Sequence, residues 1–311
     1  MRRAWLAGTA ALIAICAIAH PAHAQMPNLI DLSAEYTPPA NLERSDLSRL
    51  QISSYQVALS VPIPLSPRQF LIPGLTYHVD STSRVAMQDN AHDTFHAPEA
   101  SLMFIQLMPQ RWSITVRGAA SVAGSYDTID RRMIAYSGML LAAWSPSDQV
   151  TAGAGMIVTG GFGQLLPLPA LTVRWQPRQD LRIDMFVPAF AALRYTVWDG
   201  FELGARTEFQ GHTYAYRGAD ACTTPRDPTS SDLMTGSDGC LDHVRYTMAT
   251  TGVVGGVRLT DSVWLTAYAG TSVYRRGEEL DRDDHQLPGA SHTLPRVLFF
   301  RTNVAWRLPG S

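Results

Sequence analysis

The sequence predicts an all-β protein, a single antiparallel transmembrane β-barrel of about 12–14 strands that follows a cleaved signal peptide. Three observations predict this fold class. The chain begins with an export signal, apolar residues then recur at every second position, and the connections between these stretches alternate between short and long. Period-two alternation is typical of a strand with one apolar face.

The signal peptide covers residues 1–24. Two arginines precede an apolar run over 4–19, and Ala22 and Ala24 are the small residues that signal peptidase requires. We expect cleavage after Ala24, which leaves 25–311 as one outer-membrane barrel domain. A retained anchor helix is the alternative, but the apolar run is short for a bilayer span.

The composition excludes two classes of protein. Hydrophobic residues make up 46% of the chain and charged residues 17%, yet the part after the signal contains no run of about 18 apolar residues, so no membrane helix is predicted. The formal net charge is −2, which does not favour nucleic acid as a partner. A soluble β-sandwich has a similar composition, so composition alone does not identify the barrel.

The alternation is clearest over 201–209. Phe201 and Phe209 share one face with the apolar positions between them, and Glu202 and Glu208 lie on the other. Most such stretches are long enough for a tilted strand to cross a bilayer, which takes about 9–11 residues. Reading every stretch predicts fourteen strands, near 29–36, 50–62, 69–79, 98–108, 111–122, 132–144, 149–160, 165–175, 181–188, 190–197, 201–216, 243–259, 262–275 and 296–308.

The connections favour a membrane barrel over a sandwich, because outer-membrane barrels have short periplasmic turns and long extracellular loops. The predicted short turns are 64–68, 109–110, 145–148, 176–180, 199–200 and 260–261. The predicted extracellular loops lie near 37–49, 80–97, 217–242 and 276–295. One extracellular connection, near Pro188, has to be very short, and a change of phase near Gly252 predicts a bulge in that strand. A count of twelve strands stays open.

Six tryptophans lie beside predicted periplasmic turns or at the C-terminal end of the chain. Tryptophan favours the membrane interface, because its ring is apolar while its N–H seeks water. The alternative is that large aromatic residues flank turns in many β-proteins. The predicted interface aromatics are Trp112, Trp144, Trp175, Trp198, Trp264 and Trp306.

Ten charged residues fall on the polar faces of the predicted strands. An arginine that faces lipid near the bilayer midplane costs about 2–4 kcal/mol in such barrels, so we expect these residues to face the lumen. They either line a water-filled passage and set its ion preference, or pair across adjacent strands into a salt-bridged plug. The predicted lumen charges are Arg117, Arg174, Arg182, Asp184, Arg194, Glu202, Arg206, Glu208, Arg301 and Arg307.

The remaining candidate sites predict a disulfide but no metal site. Without the signal peptide only Cys222 and Cys240 remain, and they flank a polar segment, which predicts one disulfide in a surface loop. The histidines at 92 and 96 have ligand-like spacing only in a helix, and the charged run 281–285 is typical of a solvated loop.

The sequence favours a non-enzyme without cofactors. Ser137 and Ser272 lie on predicted strands, but neither has a histidine convincingly beside it, and no nucleophile elbow or phosphate-binding loop occurs. We therefore predict no catalytic residue, no cofactor and no metal ligand.

Two segments resemble a family of Gram-negative outer-membrane barrel-like proteins of unknown function. They are the strand and turn over 165–177 and the closing stretch 270–306, in which Tyr274 and two arginines precede a charged loop. The resemblance implies a barrel and no activity. The last strand is also similar to the signal that the barrel-assembly machinery reads, but Trp306 is not terminal and a Pro-Gly-Ser tail follows.

These observations predict a protein exported to the outer membrane, in contact with lipid and lipopolysaccharide and with the assembly machinery during biogenesis. A passive channel or a ligand-binding barrel for an unidentified small solute is the first prediction. The alternatives are a closed structural or surface-interaction barrel and, less favoured, a lipid-modifying enzyme.

Overall fold

A computed structural model describes residues 28–41, 49–85, 90–125, 133–159, 166–215, 243–280 and 286–307. This part of the chain contains sixteen strands and one 3₁₀ turn, Pro109–Arg111. The strands are β1 Ile30–Asn41, β2 Arg49–Ser60, β3 Ile63–Ser66, β4 Gln69–Val85, β5 Asn90–Leu107, β6 Trp112–Val122, β7 Ile134–Ser147, β8 Val150–Thr159, β9 Leu166–Arg178, β10 Leu181–Val187, β11 Phe190–Trp198, β12 Phe201–Ala215, β13 His243–Arg258, β14 Val263–Leu280, β15 Gln286–Thr293 and β16 Leu298–Trp306.

Fourteen of these strands form a closed antiparallel barrel. Each strand pairs with the next along the chain, and β1 pairs with β16 to close the ring. The short strands β3 and β15 lie off the ring and pair only with β4 and β14. Every predicted strand corresponds to one strand of the ring, so the barrel is confirmed and the alternative of twelve strands is wrong.

Period-two alternation separates the two faces of the wall, as β12 illustrates. Leu203 and Phe209 point outward and are 46% and 40% exposed, whereas Glu208 points inward and is 8% exposed. The same register places Glu208 beside Thr250 of β13 and Phe190 of β11, which also face inward. The predicted polar face of 201–209 is therefore the inner face of the barrel.

The outer face is apolar around the ring. Large exposed side chains recur on strands from β1 to β16, among them Leu32, Val57, Leu140, Leu171 and Val253. Exposed apolar surface on this scale is rare on monomeric soluble proteins. Within the described ranges, no helix has the length and apolar character needed to span a bilayer.

The barrel has two unlike ends. The end that holds Ile30 and Trp306, called here the short-turn end, has tight turns such as Asp199–Gly200, where Gly200 adopts a φ of 88° that favours glycine. The end that holds Ala215 and His243 is called the long-loop end. Its one short connection in the described chain joins β10 to β11 around Pro188, as predicted.

Two predicted loops contain strands instead. The range 80–97 continues β4 to Val85 and begins β5 at Asn90. The run 81–84 is polar throughout, so period-two alternation gave no signal for this extension. The range 276–295 contains the end of β14 and all of β15. The centres of the other two predicted loops, at 42–48 and 217–242, lie outside the described residues.

The predicted bulge exists, but on the neighbouring strand. Ala249 pairs with Tyr274 and Thr250 pairs with Ser272, so Val273 of β14 is the extra residue. Val273 and Tyr274 are both exposed, at 43% and 41%, because the bulge shifts the outward face of β14 by one position. Gly252 lies within regular pairing of β13, so the predicted position was wrong.

Candidate functional site

The candidate site is the interior of the barrel, where two cavities are lined by described residues. The larger cavity, of about 470 Å³, is lined by β1, β2, β4, β9 to β14 and β16. The smaller, of about 400 Å³, is lined mainly by β4 to β8 and β12. Gln56, His78 and His212 line both cavities and so form the wall between them.

All ten predicted charged residues lie on the inner face. Seven line the larger cavity: Arg174, Arg182, Asp184, Arg194, Arg206, Arg301 and Arg307. Arg117 lines the smaller cavity together with its partner Glu99. Glu202 bonds to Arg194, and Glu208 bonds to Arg206 and Arg301. All three arginines line the larger cavity.

One group of these charges is balanced. Arg301 on β16 donates to Glu35 on β1, with its Nε 2.7 Å from Oε2, and also to Glu208 on β12. Arg206 bonds to the same Glu208. Two arginines therefore meet two carboxylates, and the contact of Arg301 with Glu208 passes over the intervening strands β13 and β14.

A second group on β9 to β12 is rich in arginine. Arg174 and Arg182 share one carboxylate, Asp184, at 3.3 and 2.8 Å. Arg194 approaches Glu202 at 3.7 Å. These pairs lie along the wall, either between adjacent strands, as the second interpretation of the sequence expects, or within one strand, and none of them crosses the lumen.

A layer of side chains crosses the lumen instead, and we call it the cross-barrel layer. It consists of His78 and Asp80 on β4, Phe95 on β5, and His212 and Tyr214 on β12. The Tyr214 hydroxyl donates to Asp80 Oδ2 at 2.6 Å, and the rings of His78 and His212 stack 4.8 Å apart. Phe95 stacks on Tyr214 at 4.9 Å.

These contacts join opposite walls of the barrel. Between β4 and β12 lie five ring strands in one direction and seven in the other. The backbone adds a second crossing, because the chain after β6 turns inward and Ala215 N donates to Ala123 O at 3.1 Å. Asp80 and Tyr214 are only 7% and 3% exposed, so the layer is closely packed and constricts the lumen at this level.

The sequence contained a signal for this layer that the predicted loop boundary concealed. His78 and Asp80 continue the inward alternation of β4, and His212 and Tyr214 continue that of β12. Polar or aromatic residues at every second position toward the end of a strand predict an inward-facing extension. The pairing of particular residues across the lumen has no such local signal.

The tryptophans do not all lie on one face. Trp112 and Trp144 stack 6.3 Å apart on the outside of the short-turn end, and Trp175, Trp198 and Trp306 are also exposed there. Trp264 was wrongly assigned to this group. It lies on the inward positions of β14, paired with Ala305, and the Arg307 guanidinium lies 4.8 Å from its ring centre.

The other candidate residues have ordinary structural roles or lie outside the described chain. Ser272 is fully buried, and its Oγ accepts a hydrogen bond from Val297 N at 2.9 Å. His96 lies 2.7 Å from the Tyr77 hydroxyl. No group of three potential metal ligands occurs among the described residues. Cys222 and Cys240 lie outside them, so their disulfide stays a prediction that thiol labelling before and after reduction would check.

Several solved structures match most of the chain at low identity. The COG4313 outer membrane channel from Pseudomonas putida F1 is 10% identical, with a TM-score of 0.42 over 92% of this chain and 98% of that one. LpxR from Salmonella typhimurium is 8% identical, with a TM-score of 0.36 over 89% and 99%. The translocator domain of the autotransporter NalP from Neisseria meningitidis is 9% identical, with a TM-score of 0.35 over 96% and 98%.

These similarities are too weak to assign a function. No curated protein matches the chain. A family model described as a domain of unknown function, DUF6268, matches residues 20–287. The chain therefore belongs to the DUF6268 family.

Proposed function

We propose that this protein is a barrel of the Gram-negative outer membrane that acts as a narrow passive channel for small solutes. The apolar outer face supports the membrane location, because exposed side chains such as Leu140 and Val253 gain free energy in hydrocarbon. The closed ring supports it too, since a barrel without free edges satisfies its backbone hydrogen bonds inside lipid. On this proposal the outer face contacts lipid and lipopolysaccharide, and the assembly machinery inserts the chain.

The charged larger cavity is the observation that carries the channel proposal. Its lining contains arginines and carboxylates that can be hydrated. The cavity extends from Asp31 and Arg307 at the short-turn end to the cross-barrel layer. A ring of charged side chains around water is how barrels select the solutes that pass. The layer narrows the passage, so we expect a small conductance.

The cross-barrel layer favours a second candidate function, a closed barrel with a structural or surface-interaction role. In that case the layer is permanent, and the two cavities hold only water. The hydrogen bond between Tyr214 and Asp80 and the two ring stacks are compatible with such a closure.

Single-channel recording in planar bilayers separates the two functions. We expect small, steady conductance steps from the native barrel and larger steps from the double variant His212→Ala/Tyr214→Ala, which removes the β12 side of the layer. The matched control is Tyr195→Ala, because Tyr195 is 42% exposed on the outer face of β11 and lines neither cavity. Silence from the native barrel and from the double variant, with both correctly folded, would establish the closed barrel.

A further inference from the structure

The charges around the larger cavity are unevenly distributed. In the balanced group, Arg206 and Arg301 meet Glu35 and Glu208. The remaining four arginines have two carboxylates in ion-pair contact, Asp184 and Glu202. We call these four the arginine cluster: Arg174, Arg182, Arg194 and Arg307.

The strand register brings like charges together in this cluster. Arg182 on β10 lies directly opposite Arg194 on β11, and both side chains face the cavity. Like charges at directly opposed positions destabilise a sheet unless something compensates them. Their nearest carboxylates are already engaged, since Asp184 also accepts from Arg174.

Two donors of the cluster have no acceptor in the described part of the chain. Arg194 Nε is buried and makes no hydrogen bond. Arg307 forms no ion pair with any described residue, and its guanidinium lies over the Trp264 ring instead. Burial lowers the pKa of Arg307, Glu202 and Asp31 oppose that effect, and the charge of Arg182 adds to it. Arg307 therefore lies near carboxylates without forming an ion pair with any of them among the described residues.

Asp31 does not remove the surplus. It lines the same cavity, but its carboxylate accepts hydrogen bonds from the side-chain amides of Asn28 and Asn303. Even with Asp31 counted, four arginines face three carboxylates. Among the described residues, the cluster keeps at least one positive charge without a carboxylate partner.

We propose that the arginine cluster binds a small oxyanion, a phosphate or carboxylate group, near the short-turn end of the lumen. Guanidinium groups present planar pairs of N–H donors that match the oxygen spacing of both groups. The anion bridges Arg182 and Arg194 and accepts from Arg307. This inference rests on the proposed channel function, in which the cluster is the place where a permeating anion pauses.

Calorimetric titration of the folded barrel in detergent tests the site, with inorganic phosphate and acetate as separate titrants in a low-chloride buffer. We expect binding of at least one, and the stronger of the two indicates whether phosphorylated or carboxylated solutes are preferred. Arg307→Gln and Arg194→Gln should each weaken that binding about tenfold, the effect of losing one charged hydrogen bond. Arg178→Gln is the matched control, because Arg178 is the last residue of β9 at the same end and its side chain is 64% exposed and outside the cavity.

The inference is overturned if neither titrant binds, or if Arg307→Gln and Arg194→Gln bind as tightly as Arg178→Gln. A shift in electrophoretic mobility on boiling verifies that each variant is folded. A conductance measurement distinguishes failure of the oxyanion site from failure of the channel proposal. A conducting barrel that binds neither anion removes the site alone, and a silent barrel that binds phosphate removes the channel while the site stands.

Discussion

At the scale of single residues, Glu208 is a buried carboxylate that bonds to two arginines inside the barrel. Its side chain bonds to Arg206 two positions earlier and to Arg301 on β16. Only 8% of the residue is exposed, so water screens these bonds weakly. Removing the charge leaves Arg206 and Arg301, both partly buried, with one carboxylate partner among the described residues, Glu35, which bonds only to Arg301.

Glu208→Gln should therefore lower the free energy of unfolding by about 2 kcal/mol, within the range for hydrogen bonds to charged groups. Urea unfolding of the refolded barrel in lipid vesicles, followed by tryptophan fluorescence, measures the change. Glu99→Gln is the matched control, because Glu99 has one arginine partner, Arg117, and a more exposed side chain. Equal losses in the two variants would contradict the importance given to Glu208.

At the scale of elements, the proposed membrane location gives each barrel strand one row of side chains that faces lipid and one row that faces the lumen. Val253 on β13 points outward and is 55% exposed, midway between the ends of its strand. Gln210 on β12 points inward and lines the larger cavity. The two positions have opposite surroundings although their strands are neighbours.

Val253→Arg should cost about 2–4 kcal/mol of stability in vesicles, the range for a cation that faces lipid near the midplane. Gln210→Arg, which adds the same charge on the lumen side, should change the free energy of unfolding by less than about 1 kcal/mol because water reaches it. Urea titration of both variants gives the comparison. A larger loss for Gln210→Arg would place the apolar face of the wall away from lipid.

At the scale of the whole molecule, the closed ring predicts cooperative and resistant folding. Fourteen strands paired in a closed ring leave no free strand edge at which unfolding can begin. Two crossings, one of side chains and one of backbone, also tie opposite walls together. Detergent without heat is not expected to open such a structure.

The membrane-extracted protein should consequently migrate differently on a denaturing gel before and after boiling. The unboiled barrel stays compact, and the boiled chain binds detergent as an unfolded polymer. A reduced sample should behave in the same way, since every ring contact described here is noncovalent. A single band at one position under all conditions would count against the closed barrel.

The wall of this barrel could be predicted from local periodicity, while its interior could not. Alternation along 201–209 assigned Glu208 to the inside and Phe209 to the outside, because a strand turns successive side chains to opposite faces wherever it lies. Trp264 shows the limit even for the wall. Its position beside a turn suggested the outer face, but its register with Ala305 places it on the inner face.

The cross-barrel layer, and the place of Arg307 beside the other three arginines of the arginine cluster, depend on closure of the ring. Asp80 and Tyr214 are 134 residues apart in the chain, and nothing near either residue indicates the other. Which inward side chains touch is set by barrel curvature and strand register, quantities that arise only when all fourteen strands have paired. Periodicity is a property of each strand alone, so it predicts which way a side chain points, whereas a contact across the lumen belongs to the assembled barrel.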